Sequence, residues 1–97
     1  MRHTITLPAD VNKELLLSAM ENTFHFPSHF GHNWDALWDA LDEYLGEHTD
    51  TVVLTIDKQA VKNINQDEWK SFLDILHQAA ERWAQFRVHV IEPTALL

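Results

Sequence analysis

Residues 51–56 read TVVLTI, a near-continuous apolar run rich in β-branched side chains. That is the pattern of a strand covered on both faces in a parallel sheet, and it places this segment at the sheet's centre. Upstream, residues 3–7 read as a short strand, with Pro8 and Asp10 supplying a break and a helix N-cap. The helix that follows runs to about Asn22, its apolar Val11, Leu15, Leu16, Ala19 and Met20 recurring at helical spacing. Residues 24–31 contain Pro27 and Gly31 and read as a connector. A second helix starts at the cap Asn33 and is stopped by Gly46. Downstream, Asn65 followed three residues later by Glu68 resembles a capping box, with Asn in place of Ser or Thr. Trp69, Phe72, Leu73, Leu76, Ala79, Ala80 and Trp83 then hold helical spacing through four turns. Residues 87–91 return as a last strand, and 92–97 read as a loose tail. The order β-α-α-β-α-β predicts an α/β fold: a three-stranded parallel sheet, right-handed crossovers, and helices packed on the sheet. With no linker, repeat or low-complexity stretch, residues 1–97 are expected to form one domain.

The composition narrows the function. The chain has 97 residues, is 45% hydrophobic and has no cysteine, so its stability must come from packing and not from disulfides or thiolate metal sites. Residues 1–7 lack the basic and long apolar regions of a signal peptide, and no membrane span is indicated, so a cytoplasmic location is the expectation. A net charge of −8 argues against direct nucleic-acid binding by phosphate neutralisation and favours a basic partner. The charge is also polarised: positions 14–57 hold nine acids and no Lys or Arg, while the remainder holds six acids and seven bases. Such a field can steer a cationic protein towards one end of the molecule.

Much of that acid lies on the second helix. At about 100° per residue, Trp34, Leu37, Trp38, Leu41, Tyr44 and Leu45 share one arc, which is expected to face the core. Asp35, Asp39, Asp42 and Glu43 share another arc with no cation between them. An acid in the first turn suits the helix dipole, which accounts for Asp35. Asp39 has no such excuse, because its neighbours at i−4 and i+4 are Asp35 and Glu43, and each like-charge pair costs roughly 0.2–0.5 kcal/mol. A helix that carries repulsion at its own expense points to a use outside the molecule.

The stretch FPSHFGHNWDALWDALDEYL, residues 26–45, resembles the signature of the barstar family, intracellular inhibitors of the bacterial ribonuclease barnase. The match is closest at Gly31, Asn33, Asp35 to Asp39 and Leu41, and it covers about a fifth of the chain. The resemblance implies a three-stranded parallel sheet and a loop and helix that fill the nuclease's substrate groove in a one-to-one complex of monomers. It places Asp39 where an RNA phosphate would sit and makes Asp35 a second charged contact. It sets His29, Phe30, Gly31, Asn33, Trp34, Trp38 and Tyr44 in or beside the interface, and Glu43 joins them from the acidic arc. Carboxylates held on a rigid helix can stand in for phosphates towards Arg and Lys through charge-assisted hydrogen bonds. His29 stands where the family has tyrosine, Trp34 where it has leucine, Glu43 where it has glycine, and Gln78 where it has a rim glutamate, so the cognate nuclease can differ from barnase.

Three other readings compete with this one. Asp35 and Asp39 as a catalytic acid and base lack a pocket to separate their pKa values, and no nucleophile motif or phosphate-binding glycine loop accompanies them, so no enzyme is expected. A zinc site from His25, His29, His32 and Asp35 is hampered by Pro27 between the first two histidines; no metal or cofactor is expected. An acidic module for another cationic partner, such as a non-nuclease toxin, is the alternative to ribonuclease inhibition.

Overall fold

A computed structural model of the chain describes residues 1–93. Its elements are β1 (Arg2–Thr6), β2 (Asp10–Val11), α1 (Lys13–Phe24), α2 (Trp34–Glu47), β3 (Val52–Asp57), β4 (Asn63–Ile64), α3 (Gln66–Arg82) and β5 (Phe86–Ile91). β1, β3 and β5 form a parallel sheet in that order, so the strand read from TVVLTI is central as expected. Of the tail expected at 92–97, positions 94–97 lie outside the described residues.

The sheet is covered on one face only, which corrects the two-sided expectation for β3. Val52, Leu54 and Ile56 are fully buried and share a face with Ile5 and Phe86. Alternate residues Val53, Thr55 and Asp57 are only half-buried, beside exposed Arg2, Thr4, Thr6, Arg87 and His89. Val53 sits on the open face although it is β-branched, and its type made the run look continuous. Burial of β-branched residues on a pleated strand depends on what covers each face, and sequence does not supply that.

Leu16, Leu17, Met20 and Phe24 of α1, Leu37, Leu41 and Leu45 of α2, and Trp69, Phe72, Leu76 and Ala79 of α3 join the inner strand residues in one core. No helix among the described residues is long and apolar enough to cross a membrane.

The helix ends needed tertiary structure. Asn12, not Asp10, caps α1, accepting from Leu15 N at 2.8 Å. Asp10 instead belongs to β2, which pairs with β4 in a two-stranded sheet that the sequence did not reveal; its carboxylate accepts from Asn63 Nδ2 at 2.7 Å. α1 also runs two residues further than expected and ends on His25 in the left-handed region, φ 55°. Asn65 caps α3 as expected, accepting from Glu68 N at 2.9 Å, but Glu68 does not close the box. Its carboxylate accepts from Lys13 N at 3.2 Å and so ties the starts of α3 and α1 together.

Gly46 does not stop α2, which continues to Glu47. No positive-φ glycine is present among the described residues, so Gly46 has no special turn to make. Side chains end this helix instead: His48 Nδ1 donates to Tyr44 O at 2.7 Å, and Gln85 Nε2 donates to Leu45 O and His48 O, each at 3.0 Å. These bonds take up last-turn carbonyls that have no partner within the helix.

Candidate protein-binding site

α2 and the loop before it carry every residue singled out above for partner binding, and all but Asn33 line one of three hollows. Asn33 begins the helix as expected: its side chain accepts from Ala36 N at 2.7 Å, and Leu37 N bonds its backbone oxygen at 3.1 Å. The loop folds back on this cap. Asn33 N donates to Gly31 O at 2.9 Å, and a Cβ placed at Gly31 would lie 3.2 Å from Asn33 Nδ2, so the absent side chain lets loop and cap approach closely. Phe26 is buried and stacks on Phe24, while half-buried Phe30 packs on Phe26 at 5.1 Å between ring centres.

The first hollow, about 210 Å³, runs between loop and helix and is lined by Pro27, His29, Phe30, Gly31, Ala36, Asp39, Ala40 and Glu43. It brings together His29, Phe30, Gly31, Asp39 and Glu43. On the other flank of α2, Trp34, Asp35 and Trp38 line a second hollow of about 380 Å³ with Ser71, Asp74, Ile75 and Gln78 of α3. Trp34, expected in the core, is half-buried; it packs near Phe72, with Lys13 Nζ 5.3 Å from its ring centre. Tyr44, stacked on His48 and edge-on to Phe24, lines a third hollow with His3 and Glu47, and Ala40 and Glu43 border both this hollow and the first. Burial holds the Tyr44 hydroxyl above its ordinary pKa.

The acidic arc also divides. Asp42 is not a free member of it: its Oδ1 accepts from Trp83 Nε1 at 2.7 Å and pairs with Arg82 Nε at 2.7 Å. Asp35, Asp39 and Glu43 are exposed, and none makes an ion pair among the described residues. Lys58 is turned to Glu92 and over the Trp69 ring and pairs with none of them. Of the four acids on this arc, the protein neutralises Asp42 and leaves Asp35, Asp39 and Glu43 without a counter-charge among the described residues.

Reading the sequence missed two sets of residues. Asp74 and Ile75 stand beside Trp38 only because α3 crosses α2, a juxtaposition with no local signal. Glu14 and Glu21 of α1 meet His32, whose ring is consequently engaged away from the other loop histidines. Among the described residues no group of three or more His, Asp or Glu side chains is arranged to hold a metal ion.

A one-sided parallel sheet whose helices expose uncompensated carboxylates beside an aromatic loop defines a small α/β protein with an acidic, partly aromatic surface. A family model described as Barstar (barnase inhibitor) matches residues 1–91, and the chain belongs to that family. Members of the family are inhibitors of ribonuclease and not enzymes. No curated protein matches the chain.

Proposed function

We propose that this protein inhibits a small barnase-type ribonuclease by seating the outer surface of α2 together with His29, Phe30, Gly31 and Asn33 in the enzyme's substrate cleft. Asp39 takes the place of an RNA phosphate there. Asp35 makes the second charged contact from the next turn. His29, Phe30, Gly31, Asn33, Trp34, Trp38, Glu43 and Tyr44 surround this pair as the contact surface. The supporting observation is the contrast along one helix: Asp42 is consumed by Arg82 and Trp83, while Asp35 and Asp39 have no counter-ion among the described residues.

The chemistry needs no bond to be made or broken. A ribonuclease binds phosphate with Arg and Lys, and a carboxylate on a rigid helix can accept the same charge-assisted, bidentate hydrogen bonds. Occlusion is then both steric and electrostatic. Because α2 is anchored through Leu37, Leu41 and Leu45, little ordering is required when the partner arrives.

The test is a titration of RNA cleavage by barnase and related microbial ribonucleases. Cleavage should fall to its floor at about one inhibitor per enzyme in a complex of two monomers. Binding to basic proteins at large with cleavage untouched would overturn the proposal in favour of a general acidic module.

A further inference from the structure

The loop that lines the hollow beside Asp39 is fastened from behind by a residue outside the proposed contact surface. His32 lies between Gly31 and the cap Asn33 and is held by two carboxylates of α1: Nδ1 by Glu14, and Nε2 by Glu21 at 3.0 Å. Glu14 and Glu21 are seven residues apart, about two turns, and so project from the same side of their helix. A neutral imidazole has one N–H donor and one acceptor, so it satisfies only one of two such carboxylates; satisfying both takes the doubly protonated ring. Among the described residues no other side-chain hydrogen bond or ion pair joins residues 26–33 to α1. The imidazole also packs 5.3 Å from the ring of Phe30, which lines the hollow with Asp39.

We propose that His32 is a positioning residue: as the imidazolium it latches the partner-facing loop onto α1, and as the neutral ring it releases one glutamate and loosens that loop. The proposal rests on the binding surface given above for its effect on affinity, whereas the latch itself is a property of the free protein. Glu14 and Glu21 are the charged groups facing the ring from α1, and the loop contributes Phe30. No charged side chain of α2 or α3 pairs with the ring among the described residues.

The hydrogen bonds from Glu14 first and Glu21 second raise the His32 pKa above its usual value. The latch is therefore complete below the ordinary histidine range and is lost as pH rises through the raised value. Affinity scales with the fraction of molecules already in the binding shape, so a loop that holds that shape for a third to a tenth of the time binds roughly three- to tenfold more weakly.

Calorimetric titration with barnase from pH 6 to 9 would compare the native protein with His32→Gln and with the double variant Glu14→Gln/Glu21→Gln. The enzyme's own titrations are common to all three. The affinity advantage of the native protein should be roughly three- to tenfold at pH 6 and shrink towards none at pH 9. An advantage that does not change with pH would overturn the proposal. Proton NMR of free protein tests the latch without any partner: the His32 titration midpoint should be raised in the native chain and fall in the double variant, with faster amide exchange at residues 30–32. An ordinary midpoint in the native chain would overturn the latch, whereas a raised midpoint with no barnase binding would count against the proposed function alone.

Discussion

Asp39 and Asp42 lie three residues apart on one helix, and replacing each by alanine should separate binding from stability. Asp42→Ala leaves the half-buried Trp83 indole N–H without its acceptor, a loss of about 1–3 kcal/mol. The Arg82 pair adds at most about 0.5 kcal/mol, because the Arg82 side chain is 58% exposed and solvent screens it. Alanine's better helix propensity returns about 0.5 kcal/mol. The net loss of about 0.5–3 kcal/mol, at about 4–8 °C per kcal/mol for a chain of this size, corresponds to a fall in Tm of about 2–24 °C. Asp39→Ala removes repulsion from Asp35 and Glu43, about 0.2–0.5 kcal/mol each, so its Tm should hold or rise by a few degrees. Against the ribonuclease the order reverses: Asp39→Ala should cost about 2–5 kcal/mol or more, a scale borrowed from measurements on the barnase–barstar pair itself, while Asp42→Ala should cost under about 0.5 kcal/mol. Circular dichroism melts and calorimetric titration supply the two axes. A marked drop in Tm for Asp39→Ala, or equal losses of affinity in both variants, would refute the division of roles along α2.

Other outcomes follow from the same contacts. Asn33→Ala removes the α2 cap and should cost about 1 kcal/mol, seen as a Tm lower by about 4–8 °C, with Asn33→Ser recovering most of it; identical melts for all three proteins would show the cap to be idle. His3 has its pKa lowered, chiefly by burial and then by the N-terminus and His25, so the unfolded chain takes up its proton first as pH falls. Stability should therefore decline as pH drops below the ordinary histidine value of about 6.5, and His3→Phe should flatten that part of a Tm profile. His32, with its pKa displaced upwards, acts with the opposite sign, adding stability as pH falls towards the ordinary value and levelling off below it, so a decline of equal size in His3→Phe would assign the effect to a group other than His3. Stopped-flow association with a basic ribonuclease should slow as salt is raised from about 10 mM to 1 M while dissociation changes little; a rate independent of salt would remove the steering role of the acidic pole.

What could be read without coordinates was whatever a periodic pattern encodes. TVVLTI marked the central strand, the Trp69 to Trp83 spacing marked α3, and Asn33 and Asn65 marked helix starts, because each signal lies within a few residues of chain. The open sheet face escaped because the same β-branched residue serves a buried or a half-exposed site. The end of α2 escaped because its last carbonyls are taken by His48 and by Gln85, a residue nearly forty positions away.

The acidic surface divides in the same way. Sequence by itself determined that α2 carries more negative charge than a helix needs and that its signature is that of a barstar-like protein, since spacing sets which side chains share an arc. Only the folded chain decided which charges remain available. Asp42 and Asp39 share one arc on a wheel, but α3 packs along one side of α2 and brings Arg82 and Trp83 to Asp42 alone. The fold likewise brought Glu14 and Glu21 to His32 across gaps of eighteen and eleven residues. Pairing of charges depends on distance in space, and once an isolated helix is packed into a tertiary fold that distance is no longer a function of its own sequence.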